Sequence, residues 1–263
     1  DYSQQEPRLV TEYALRFGLA SVNKIADAYD TDPKADFHQV VADMAKIPRS
    51  QAKVINLGLF YGMGKAKLEA ELGVSKDKAK QLFDTYHAKV PFVKQLTNEL
   101  MRAAQEQGKI KTILNRKCRF PKYEPILKGS DWGRFVPAQD HERMLELQKM
   151  GPHLKDEEDE FIIDKDGNKQ KNYWHENGHR RAFTYKALNK LIQGSAADMT
   201  KKAMLNLYKE GVIPHIQIHD ELDISINSKE QSDKIIEIME TSIDMQINNK
   251  VDYESGPNWG EIK

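Results

Sequence analysis

Gln217-Ile218-His219-Asp220-Glu221-Leu222-Asp223 is the stretch from which the rest of this chain is read. It lies inside an alternating, isoleucine-rich segment from Ile213 to Ile226, which predicts two short strands meeting at His219-Asp220-Glu221. Acids at a hairpin tip contribute little to folding, but their hard oxygens suit a divalent cation. A second carboxylate stands far away in sequence, within Asp1-Tyr2-Ser3-Gln4-Gln5-Glu6. Two acids from distant segments are what a two-metal phosphoryl-transfer site requires.

Another segment points the same way. Arg49, Lys53, Leu57 and Tyr61 recur every fourth residue after Pro48, a residue suited to a helix start. On a helix they form one slowly drifting stripe. Arg49 and Lys53 lie near the helix N-terminus, where the macrodipole disfavours cations. A bound polyphosphate would offset that cost, with arginine supplying a fork and lysine a point charge. Leu57 and Tyr61 continue the stripe as an apolar floor for a base. Gly58 and Gly62 each lower helix propensity by roughly 1 kcal/mol and allow close approach of another body. An amphipathic helix with solvated cations is the plainer reading of the stripe taken alone.

Size and composition set the frame. The chain has 263 residues, room for one large domain or two modest ones. Lys plus Arg and Asp plus Glu each total 40, so the formal net charge is zero; local patches still set the field that a ligand meets. The single cysteine, Cys118, rules out an internal disulfide and suits a reducing compartment. Apolar runs fall short of the ~18 residues a membrane span needs. The composition reads as soluble and cytoplasmic, without a signal peptide. The chain opens on Asp rather than Met, which is the expectation for a truncated or processed polypeptide.

Periodicity and punctuation predict helices over residues 9–29, 37–46, 49–62, 76–89, 92–107, 183–210 and 229–248, with a short helix ending at Gly73 and a hairpin over 110–121. Ser75 is a good N-cap. Residues 122–180, rich in Gly and Pro and holding the acidic run Asp156-Glu157-Glu158-Asp159-Glu160, read as an elaborated surface insertion with a turn at Asp164–Asn168. Arg102, Lys109, Lys111, Arg116, Lys117, Arg119 and Lys122 face a single acid, Glu106, in the segment before it. That suits a phosphate-tracking patch, with a solvated surface as the alternative.

Together these residues resemble the family A DNA polymerases, the DNA polymerase I type of bacteria and phages. Asp1-Tyr2-Ser3-Gln4-Gln5-Glu6-Pro7-Arg8 is similar to the family's first palm motif, Asp-Tyr-Ser-Gln-x-Glu-x-Arg. Arg49-x3-Lys53-x7-Tyr61-Gly62 is similar to its fingers helix, Gln193-Gly194-Ser195-Ala196-Ala197-Asp198 to a palm helix, and His219-Asp220-Glu221 to its second catalytic motif. The motifs stand in the family's order, and residues 122–180 match least.

The resemblance implies an α+β right hand: an antiparallel palm sheet with mainly helical fingers, thumb and first palm strands lying outside this chain. Palm is expected at 1–20 and 183–263, fingers at 21–182. It implies a DNA-templated DNA polymerase working on primer-template DNA and dNTPs. A metal-dependent nuclease and an inactive DNA-binding fragment are the alternatives. Two Mg²⁺ ions, with Mn²⁺ as a substitute, would be carried by Asp1 and Asp220, with Glu221 a secondary carboxylate. Arg49 and Lys53 would bind the triphosphate, and Lys53 would protonate the leaving pyrophosphate. Glu6 would exclude a 2′-hydroxyl. Tyr61 would stack at the templating position. Arg8, Gly62, Asn189, Gln193 and His219 would touch DNA, the two amides at minor-groove acceptors shared by all base pairs.

Two departures stand out. Leu57 replaces the family's usual aromatic, which implies discrimination against dideoxynucleotides, and Tyr185 replaces an arginine that many relatives carry. Asp223 has no assigned counterpart. The partner implied is an upstream polypeptide carrying thumb and remaining palm, with or without an exonuclease domain, in the host cytoplasm of a phage.

Overall fold

The computed structural model describes residues 1–60 and 65–261. Its first helix, α1 (Gln5–Arg16), starts after Gln4, which takes left-handed backbone at φ 51°. The single helix expected over residues 9–29 is corrected here, because α1 stops at a glycine. Gly18 stands at φ 67°; its N–H donates to the Leu15 carbonyl at 2.8 Å and that of Leu19 to the Ala14 carbonyl at 3.0 Å. That bond pair is a Schellman stop, which a residue without Cβ forms with least strain. A short 3₁₀ turn leads into α2 (Asn23–Thr31).

The helices that follow begin and end on local chemistry. Asp36 caps α3 (Phe37–Ala45), its Oδ1 accepting from the His38 and Gln39 N–H groups at 2.8 and 3.2 Å. Pro48 precedes α4 (Arg49–Phe60), and α5 (Lys65–Leu72) ends at Gly73 at φ 60°. Ser75 caps α6 (Lys76–Lys89), and α7 (Pro91–Gln107) ends at Gly108 at φ 66°. Strands β1 (Lys109–Lys111) and β2 (Lys117–Arg119) form the hairpin expected there.

The chain divides into two compact units. One comprises Asp1–Leu100, Lys111–Cys118 and Leu188–Lys263; the other comprises Met101–Ile110 and Arg119–Ala187. In the second unit, β3 (Tyr123–Pro125) pairs antiparallel with β4 (His179–Arg181). Between them lies a helix that the sequence reading did not assign, α8 (His141–Lys149), capped by Asp140. Its Met144 and Leu147 bury with Trp174 in a small core, packed by Tyr123, Val136, Met150 and Leu154. The Asn172 amide donates to the Leu147 and Gly151 carbonyls at 2.6 and 2.7 Å and closes that helix end. The segment read as a surface insertion therefore has a core of its own.

The first unit resumes with α9 (Ala187–Lys209), then β5 (Ile216–Ile218), β6 (Glu221–Asp223) and α10 (Lys229–Thr241). The helix expected to reach residue 248 stops at Thr241, because side chains take over its last carbonyls. Thr241 Oγ1, Ser242 Oγ, Tyr2 OH and Asn249 Nδ2 donate to the carbonyls of Glu237, Ile238, Met239 and Glu240 at 2.7, 2.5, 2.8 and 3.2 Å.

The fold is mostly helical with small antiparallel sheets. Among the described residues, the expected palm sheet is present as the β5–β6 ribbon and a lone bridge between Tyr2 and Val251. Among the described residues no helix is long and apolar enough to cross a membrane.

Candidate active site

The backbone of residues 1–3 runs antiparallel to residues 250–252. Asp252 N–H donates to the Asp1 carbonyl at 2.9 Å, and Ser3 N–H to the Lys250 carbonyl at 2.8 Å. This holds Asp1 exposed and Tyr2 buried. Burial pushes the Tyr2 phenol well above its ordinary value, and the carboxylates of Glu240 and Asp220 push the same way. Asp220 is thus within electrostatic reach of the residue next to Asp1.

Asp220 arrives there on the hairpin. Ile218 pairs with Glu221, so the tip is His219-Asp220 alone, and Glu221, expected in the tip, is the first residue of β6. His219 takes left-handed backbone at φ 55°, and its carbonyl accepts from the Gln217 amide at 3.0 Å. His219 is exposed, while Asp220 and Glu221 are half-buried. Asp223 points one carboxylate oxygen inward without a hydrogen-bond partner. Among the described residues no cluster of three or more His, Cys, Asp or Glu side chains is placed to hold a metal.

α1 supports the acid at the chain's start. Gln4 bridges to the next helices: its amide donates to the Ala35 carbonyl at 2.9 Å and its oxygen accepts from Phe37 N–H at 2.9 Å. Glu6 lies half-buried in the first turn. Arg8 is 1% exposed. Its guanidinium donates to the carbonyls of Ser3 at 2.9 Å, Asn248 at 2.6 Å and Pro33, and lies 4.2 Å from the Tyr29 ring centroid. The side chain expected at DNA is instead enclosed, tying three backbone segments together.

α4 turns Ala52, Ile55 and Asn56 inward and leaves Arg49 and Lys53 exposed with Leu57 half-buried beside them. Arg49 and Lys53 of the stripe read from sequence therefore lie on the outward face of this helix. Arg49 donates from Nε and Nη2 to Asp36 Oδ2 at 2.7 and 2.5 Å. Burial alone would raise the Asp36 carboxyl; the Arg49 fork and the two capping N–H groups outweigh it and hold the group below its ordinary value. Tyr61 and Gly62 lie outside the described residues.

Behind the stripe runs a polar chain that the sequence reading missed. Tyr86 OH donates to Asn56 Oδ1 at 2.5 Å, and Asn56 Nδ2 reaches His38 Nδ1 at 3.0 Å. It joins α3, α4 and α6. The signal available in sequence was a lone polar residue, Asn56, four positions after Ala52 on the apolar face.

On α9, Asn189 is half-buried and Gln193 exposed, one turn apart on a single stripe. In the other unit, Tyr185 is exposed.

A family model described as DNA polymerase family A matches residues 1–261. The chain is 31% identical, over 99% of its length, to a DNA-directed DNA polymerase of Pseudomonas phage M6, of which it covers 37%. It is 26% identical, over its whole length, to DNA polymerase I of Geobacillus stearothermophilus, of which it covers 26%. Among solved structures, the POL domain of Pol1 from M. smegmatis, in complex with DNA primer-template and dNTP, matches 96% of this chain with a TM-score of 0.63 at 22% identity. This chain covers 38% of that one, so the likeness speaks for a shared fold over part of a larger molecule.

Proposed function

The chain belongs to DNA polymerase family A, and from that premise we propose that it is the catalytic part of a DNA-templated DNA polymerase, transferring a nucleotide from dNTP to a primer 3′-hydroxyl. The observation that carries this reading is that two acids 219 positions apart both reach buried Tyr2: Asp1 precedes it on a segment paired with residues 250–252, and the Asp220 carboxylate at the hairpin tip acts on its phenol.

Family A polymerases use Mg²⁺, and the donors here fit it. Asp1 and Asp220 offer hard carboxylate oxygens, and with two such residues the remaining ligands come from phosphates and water, as Mg²⁺ prefers. When bound, the two ions supply Lewis acidity at the primer hydroxyl and at the departing pyrophosphate. Mn²⁺ fits the same oxygens. Glu221, half-buried beside Asp220, adds secondary negative charge.

Arg49 and Lys53 grip the triphosphate from the exposed face of α4. Lys53 then donates a proton to the leaving pyrophosphate. Arg49 must exchange Asp36 for phosphate as it does so. Glu6 lies under the incoming sugar and excludes a 2′-hydroxyl. Leu57 contacts that sugar, and Tyr61 stacks at the templating position with Gly62 beside it. Asn189 and Gln193 test pair geometry from the minor groove, and His219 contacts the primer terminus. Arg8 acts from the interior, holding the segment that carries Asp1. In this reading residues 1–20 and 183–263 are palm and 21–182 are fingers. In the same reading the work is done in the host cytoplasm.

The test is primer extension with Mg²⁺ and four dNTPs, comparing the natural full-length preparation with Asp220→Ala. Extension that disappears in the variant is the expected result. Extension that persists would overturn the assignment of Asp220, and degradation of DNA without dNTPs would point to a nuclease.

A further inference from the structure

α9 carries more than its outward amides. Just past Gln193, the residues Gly194, Ser195 and Asp198 hold the segment Lys111–Cys118 against the helix. Arg116 Nε donates to Asp198 Oδ1 at 2.8 Å, and Arg116 Nη2 to the Gly194 carbonyl at 2.7 Å. Ile113 N–H donates to Ser195 Oγ at 3.1 Å, and the same hydroxyl lies 2.7 Å from Tyr13 OH on α1. The loop is also closed on itself. Thr112 N–H donates to the Arg116 carbonyl at 3.0 Å and Arg116 N–H to Thr112 Oγ1 at 3.1 Å, with Asn115 at φ 63°.

The fit is close. A Cβ added to Gly194 would fall 2.9 Å from Thr112 Cγ2 and 3.3 Å from Arg116 Nη2, so any larger residue there would force the Thr112 side chain to shift. Asp198 is 6% exposed and its Oδ2 is buried without a hydrogen-bond partner. Arg116, about half exposed, is the cation paired with this carboxylate. The guanidinium thus spans the helical turn that directly follows Gln193, and Ser195 ties that turn to the helix bearing Glu6.

We infer that Arg116 is a positioning residue, whose fork between Asp198 and the Gly194 carbonyl sets the pitch of the minor-groove-reading stripe Asn189–Gln193. The inference rests on the polymerase reading above. By sequence, Arg116 resembles one of several phosphate-tracking cations. Its partners give it a different role, in alignment. A shift of Gln193 by about 1 Å is enough to cost roughly a hundredfold in a reaction that depends on alignment.

The experiment uses the full-length protein and single-nucleotide extension of matched and mismatched primer termini, with melting temperature as a parallel readout. In Arg116→Ala the matched kcat/KM is expected to fall on the order of ten- to a hundredfold. Mismatched extension falls much less, so the matched-to-mismatched ratio drops. Gln193→Ala made in that background adds little, because the two changes disturb one contact.

Arg116→Lys keeps a cation beside Asp198 but loses the fork. It is expected to melt near wild type while still lowering the ratio, and it carries the test if Arg116→Ala does not fold. A folded Arg116→Lys with the wild-type ratio overturns the inference, and so do fully additive effects of Arg116→Ala and Gln193→Ala. Wild-type protein that extends neither terminus would instead defeat the polymerase reading itself.

Discussion

Leu57 sits half-buried at the point where the outward stripe of α4 changes from cationic to apolar. It has no hydroxyl to engage a sugar that lacks its own 3′-OH. Leu57→Tyr is expected to raise dideoxynucleotide use on the order of tenfold, the worth of about one hydrogen bond, read as the terminator concentration that halts extension. Unchanged sensitivity would remove Leu57 from the sugar contact. A second residue sets a pH response. Asn56 reaches His38 Nδ1, which accepts only while that nitrogen is unprotonated. Burial pushes the His38 imidazole down, Asp36 opposes that, and Arg49 and Lys53 reinforce it. The unfolded chain therefore binds this proton more readily than the folded one. The contribution is complete above the ordinary imidazole value and is lost as pH falls below it. The urea midpoint is expected to fall between about pH 7 and 5, and to fall less in His38→Gln. Equal drops in both proteins would place the effect elsewhere. Asp36, held below its ordinary value, acts in the more acid carboxylate range, so the two contributions separate along the pH axis.

The helices differ in how much of their length was written locally. Where a cap or a stop lies in sequence, as at Asp36, Ser75, Gly73 and Gly108, the predicted and observed ends agree within a residue or two. α1 and α10 ran long in the sequence reading for different reasons. At Gly18 the punctuation was present but outweighed by apolar periodicity continuing past it. At Thr241 the stop comes partly from Tyr2 and Asn249, outside the helix. That distinction is testable: Tyr2→Phe removes a buried donor to the Met239 carbonyl and is expected to cost about 1–2 kcal/mol, seen as a lower urea midpoint with an unchanged slope. No loss of stability would mean that the remaining donors suffice to end α10.

Taken whole, the molecule has a formal net charge of zero, so any grip on DNA is local rather than global. Lys111 and Lys117 are exposed on the loop held by α9. Replacing each by Ala is expected to reduce the slope of log affinity against log salt by about one, measured by fluorescence anisotropy on a primer-template. An unchanged slope would take the loop off the DNA path. The motifs, their order, the hairpin around Asp220 and the outward placing of Arg49 and Lys53 on α4 were legible in the sequence, because each depends on spacing within a few turns or on a fixed turn geometry. Tertiary structure decided what each of these charges meets. Arg8 and Arg116 read alike as cations near a DNA site, yet one is enclosed by carbonyls from residues 3, 33 and 248 and the other is paired with Asp198. Those partners come from segments far apart in the chain. Periodicity says which face of a helix turns inward, but only packing says what it meets there.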